Sequence, residues 1–144
     1  MKNETNTLQK ACVYSAIMGA GLAIPALIPN IMPIISLFVL PFLSAVIVFG
    51  FMNFKKELDI DEMKDYALYG GIIGTVSCFS YLIIFSPLVV LINFFFKNYY
   101  AYAINYLNFF LAGVLVAAVA LIFFITNTAG GLLIGFLLKQ FRQN

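Results

Sequence analysis

Phe124-Ile125-Thr126-Asn127-Thr128-Ala129-Gly130-Gly131-Leu132-Leu133-Ile134-Gly135 is the stretch on which the fold turns. It lies inside a long apolar run, 107–138, that carries no charge until Lys139. At helical spacing Gly113, Ala117, Ala120, Asn127, Gly131 and Gly135 fall along one stripe, with Phe124 bridging the longest gap. Small residues at steps of three and four let a second helix approach closely. The amide of Asn127 adds a demand: facing lipid it would have no hydrogen-bond partner. This segment therefore requires neighbouring helices, and the rest of the chain must supply them.

Composition says the same. Of 144 residues, 63% are hydrophobic and 10% charged, and mean hydropathy is +1.02. Soluble domains carry roughly 25% charged residues, so this chain lacks the material for a water-facing surface. Apolar runs at 11–29, 34–54, 66–94 and 107–138, each about the length needed to cross a bilayer, predict an all-α fold. The expected architecture is a polytopic four-helix transmembrane bundle forming a single domain over 1–144.

The first run follows a polar leader, Met1 to Lys10, and is longer than the apolar core of a signal peptide, so a retained helix is expected. Ser15, Gly19 and Ala23 repeat every fourth residue within it, a small-residue packing face. Pro41 interrupts the second run and predicts a kink over 37–41, with Ser36 and Ser44 near enough to bond a freed carbonyl. The segment 55–65 is a charged loop. Asp59 followed by Glu62 has the form of a capping box that would start the third helix near Ile60. Its alternating aspartates lack the glycine and terminal glutamate of a calcium loop.

The third run carries Gly70 and Gly74, a pattern permitting close helix crossing. Residues 95–106 form an aromatic outer loop, whose tyrosines suit the headgroup level. A straight helix over 101–138 would measure about 57 Å against a ~30 Å hydrocarbon core. A break is expected outside at 101–110 or inside at 126–131, where Gly130-Gly131 loosens the chain.

The same residues restrict chemistry. The chain has no histidine, and no charged residue falls inside a predicted span. Proton-coupled transport and voltage sensing usually keep an ionisable group there. Cys/His zinc sites lack ligands, and the serines and cysteines have no adjacent base to activate them. No enzyme activity, metal, cofactor or nucleic-acid partner is expected. What remains is a non-catalytic membrane component, an accessory or assembly subunit or a homo-oligomer. Its expected partners are the lipid bilayer and either itself or another membrane protein. The alternative is a passive carrier or channel for a neutral or lipid-like solute, with a midplane polar site at Thr126, Asn127 and Thr128. Asn127 stands twelve residues before Lys139, about 18 Å inward if helical, near the bilayer centre.

Lys2, Lys10, Lys55, Lys56, Lys64, Lys139 and Arg142 fall on one side of a four-span chain, and Lys97 on the other. Basic residues beside span ends stay cytoplasmic, so both termini and the 55–65 loop are expected inside, in a prokaryotic plasma membrane. A reporter fused after Arg142 should therefore read cytoplasmic; an external readout would remove the four-span topology.

Overall fold

In a bilayer each span must satisfy its own backbone groups, which leaves an apolar run of this length little choice but helix. The computed structural model describes residues 2–27, 32–60, 62–95 and 109–143, with side chains at 6–27, 39–40, 43–60, 62–89, 91–92, 95 and 116–141. Within them α1 is Lys2–Ala23, α2 Met32–Phe54, α3 Met63–Phe95 and α4 Phe109–Gln143. A 3-10 turn, Pro25–Leu27, ends the first helix where proline withdraws a donor. Three segments are long and apolar enough to cross a membrane: Asn6–Leu27, Met63–Val89 and Val116–Phe141. In α2 the described apolar stretch is the shorter Leu43–Phe54. Large apolar side chains also point outward from every helix, among them Ile17, Ile47, Ile83, Leu133 and Phe136. The chain is an all-α, multi-pass membrane protein.

Several boundaries differ from the sequence expectation. The polar leader is helical from Lys2, and its Thr7 is buried. The third helix starts at Met63 rather than near Ile60. Glu62, not Asp59, precedes its first turn, and its carbonyl accepts the amides of Asp65 and Tyr66. Tertiary burial overrides the local cap here, because Leu58 and Ile60 both insert into the core. The Glu62 carboxylate meanwhile pairs with Lys64 at 2.7 Å. The inner break expected at 126–131 is absent, and α4 runs through it as regular helix. The kink expected at Pro41 and the aromatic loop beyond Phe95 fall on side chains or segments outside the described residues. A proline the sequence reading did not single out, Pro87, lies within α3.

The core has two apolar levels. Ala11, Val48, Phe49, Met52, Tyr66 and Ile73 form the first, toward the charged end. Ala23, Ala26, Leu40, Cys78, Tyr81 and Phe123 form the second. Between them along the helices lie the buried Ser44, Ser77 and Asn127, with Gly19 facing the same level. Cys12 and Cys78 are free thiols in different helices.

Helix α3 is the hub, packed most extensively against α4 and then α1. The α3–α4 seam is a contact of backbones. A Cβ on Gly131 would run into the Tyr66 carbonyl and lie 3.1 Å from the Gly70 Cα. One on Gly70 would strike the Asn127 carbonyl, and one on Gly135 would meet the Tyr66 ring at 2.6 Å. Across the α1–α3 seam, Gly19 lies against the Ser77 backbone in the same way. Gly21, in contrast, faces open space. Gly131→Ala should therefore lower stability by about 1–3 kcal/mol or more through overpacking against backbone that cannot yield. Gly21→Ala should hold or raise it, since alanine is the better helix former. Thermal unfolding of the two variants in one detergent measures the contrast.

Candidate functional site

Asn127 is fully buried where α4 meets α2 and α3. Its Oδ1 accepts the Ala45 backbone N–H at 2.8 Å. Its Nδ2 donates to the Leu40 carbonyl at 3.1 Å and to the Phe123 carbonyl, one turn back on its own helix, at 3.0 Å. The opposite amide orientation would set donor against donor and acceptor against two acceptors, so the partners fix it. Ser44 Oγ donates to the same Leu40 carbonyl at 2.5 Å. A side chain from α4 thus engages one carbonyl and one amide of the α2 backbone, at Leu40 and Ala45, just over a turn apart. Gly74 makes room on the third side, since a Cβ there would meet Asn127 Nδ2 at 2.5 Å.

The neighbouring threonines do not join it. Successive helical residues are turned by roughly 100°, so Thr126, Asn127 and Thr128 point in three directions. Thr126 Oγ1 donates to the Ile122 carbonyl at 2.8 Å, and Thr128 Oγ1 to the Phe124 carbonyl at 2.7 Å. Both hydroxyls are turned onto carbonyls of the preceding turn of their own helix, the local bond that Ser and Thr make inside helices. Of the three residues in the midplane site that the sequence suggested, only Asn127 occupies the centre.

The other small residues are distributed between two seams. Gly70, Gly74, Gly131 and Gly135 belong to α3–α4. Ser15 is buried on α1 and donates to the Ala11 carbonyl, and Ala23 is buried at the second apolar level beside Gly19's seam. Ser77 is the exception to polar satisfaction, its Oγ buried without a hydrogen-bond partner among the described residues. Such a hydroxyl costs about 1–3 kcal/mol. It stands where Gly19 brings the backbones of α1 and α3 together.

A second polar constellation, at the charged end, was not anticipated. Helix α2 closes with Lys56 N–H donating to the Asn53 carbonyl at 3.0 Å and Glu57 N–H to the Met52 carbonyl at 2.9 Å. These are the two bonds of a Schellman turn, and they place Lys56 in the left-handed region at φ 58°. The turn delivers Glu57 to α1. Its Oε2 accepts the Tyr14 hydroxyl at 2.8 Å and its Oε1 the Lys10 ammonium at 3.1 Å. The Tyr14 hydrogen bond, then that of Lys10, holds the Glu57 carboxyl below its usual 4.5. A carboxyl so depressed contributes stability above that value, and loses it as pH falls through the folded pKa. Glu62 is lowered likewise by Lys64, with Lys139 of α4 adding a weaker pull. The start of α1, the α2–α3 connection and the end of α4 therefore meet at one end of the molecule. Lys10 and Tyr14, four apart on one helical face, were the available sequence signal; the position of Glu57 depends on the turn and carried none.

Among the described residues no three His, Cys, Asp or Glu side chains are grouped so as to hold a metal ion. No protein family, curated protein or solved structure matches this chain.

Asn127 with its amide spent on backbone is a clamp between helices. Bonds of this kind average about 0.6 kcal/mol, reaching about 1.7, and two of the three cross to α2. Asn127→Leu should therefore destabilise the protein by about 1–3 kcal/mol with helix content unchanged, whereas Thr126→Val should stay within about 0.5 kcal/mol. Thermal melts followed by circular dichroism in detergent distinguish the two; equal melts would remove the clamp.

Proposed function

We propose that this chain is a non-catalytic component of its membrane: a four-span bundle with both termini cytoplasmic, serving as an accessory or assembly subunit or as the unit of a homo-oligomer. One observation carries the reading. The amide of Asn127, the most polar buried group available for a solute, has its oxygen and both its hydrogens directed to groups of its own chain. A passive carrier centred there would need that amide turned toward a substrate. Gly19, Gly70, Gly74, Gly131 and Gly135 are committed in the same way, closing seams between α1, α3 and α4. Association with another chain would then use outward apolar faces such as Ile83 and Leu91 on α3 or Leu133 and Phe136 on α4. The clustering of charged segments at one end supports the paired cytoplasmic termini.

Purification from native membranes in a gentle detergent, reading complex mass and co-purifying proteins together, tests the proposal. A stoichiometric membrane partner or a stable homo-oligomer is the expected result. A lone monomer with no partner at any detergent concentration would overturn it.

A further inference from the structure

The contact between α1 and α2 is slighter than those of α1 with α3 or of α2 with α4. It leaves an open apolar groove of about 160 Å³ lined by Tyr14, Ile17 and Met18 of α1 and Ile47, Val48 and Phe51 of α2. The groove follows about 6 Å, one turn, of each helix. Tyr14 and Phe51 close its end toward the charged face, their rings packed edge to face at 5.1 Å. Over both rings sits the ammonium of Lys55, 4.6 Å from the Phe51 centroid and 5.1 Å from that of Tyr14. Lys55 also donates to the Tyr14 hydroxyl at 3.4 Å.

The charges around it are already sorted. Glu57 feels the charge of Lys55 but spends its oxygens on the hydrogen bonds of Lys10 and Tyr14. Among the described residues Lys55 has no carboxylate within 4.0 Å. An exposed cation therefore stands at the mouth of an apolar slot, at the end of the molecule where the other charged segments gather. We propose that this is a binding site for one anionic phospholipid, with the phosphate on Lys55 and an acyl chain lying in the groove between Ile17 and Ile47.

The lining chooses this occupant: an open apolar slot one helical turn long takes a stretch of hydrocarbon chain, and the cation at its mouth takes the phosphate carried by the same molecule. The charge chooses among lipids. A phosphate without an attached cation takes full advantage of Lys55, and a choline headgroup brings its own positive charge. The aromatic pair holds the ammonium by cation–π attraction, which leaves its outward hydrogens to a phosphate.

Native mass spectrometry of the detergent-purified full chain, titrated with dioleoyl-phosphatidylglycerol and separately with dioleoyl-phosphatidylcholine, tests the site. One phosphatidylglycerol per chain should be retained in preference to phosphatidylcholine. Lys55→Gln should weaken the phosphatidylglycerol adduct about fivefold, the usual worth of one lysine at an anionic headgroup, and Lys55→Arg should keep it. Ile47→Trp, at an exposed position that fills the groove, should reduce retention of both lipids. Lys56→Gln, a neighbouring charge that does not line the groove, should weaken the adduct distinctly less than Lys55→Gln. Equal retention of the two lipids would overturn the proposal, as would indifference to Lys55→Gln or to Ile47→Trp. So would an equal effect of Lys56→Gln, which would show a diffuse surface field. Displacement of the lipid by excess inorganic phosphate would show a free-phosphate site and also overturn it.

Discussion

An amide in hydrocarbon must find its partners within the protein, and Asn127 finds them on the backbone of a different helix. Apolar helix surfaces pack almost as well one turn up or down, because lipid and leucine are equally apolar and no water is released by choosing between them. Directional bonds remove that freedom. A slide of α4 along α2 by one turn, about 5.4 Å, would strand the amide together with the Ala45 N–H. The rest of the level then follows: Gly74 must be small to admit the side chain, and Ser44 shares the Leu40 carbonyl. The two apolar clusters above and below are held in register by this one polar contact.

The glycine seams do a different job. They bring α3 against α4, and α1 against α3, at distances that a methyl group would forbid. Close approach sharpens dispersion and Cα–H···O contacts, which are weak one by one and numerous along a helix. Polar specificity and backbone proximity thus divide the work, with α2 positioned by hydrogen bonds and the α3–α4 pair by shape.

How far the sequence could be read depended on whether a feature is local. Apolar length announced helices, and the amide of Asn127 inside an apolar run announced a buried polar contact. The identity of its partners was not legible, since Leu40 and Ala45 contribute backbone groups that every residue possesses. The stripe on α4 shows the same limit. Ala117 and Gly135 both stand about 80° from Asn127 on a helical wheel at roughly 100° per residue, yet Ala117 is exposed and Gly135 lies under Tyr66. The buried aromatic of that stripe is Phe123, not Phe124, which is partly exposed. Periodicity gives an angle; only a neighbour's placement decides whether the angle is covered. The capping box failed for a related reason. Asp59 and Glu62 had the right spacing, but the pull of Leu58 and Ile60 into the core set where α3 begins. Thr126 and Thr128 looked like companions of Asn127 in the written chain, and helical geometry separated them.

The seam between α3 and α4 also has a thermal character of its own. Water-driven cores weaken on cooling because the entropy of released solvent fades. Glycine meeting glycine inside a bilayer releases no such water and freezes no side-chain rotamers, having none to freeze. The cohesion of such a contact is contact energy, and where Gly70 meets Gly131 the seam is one that cold does not loosen.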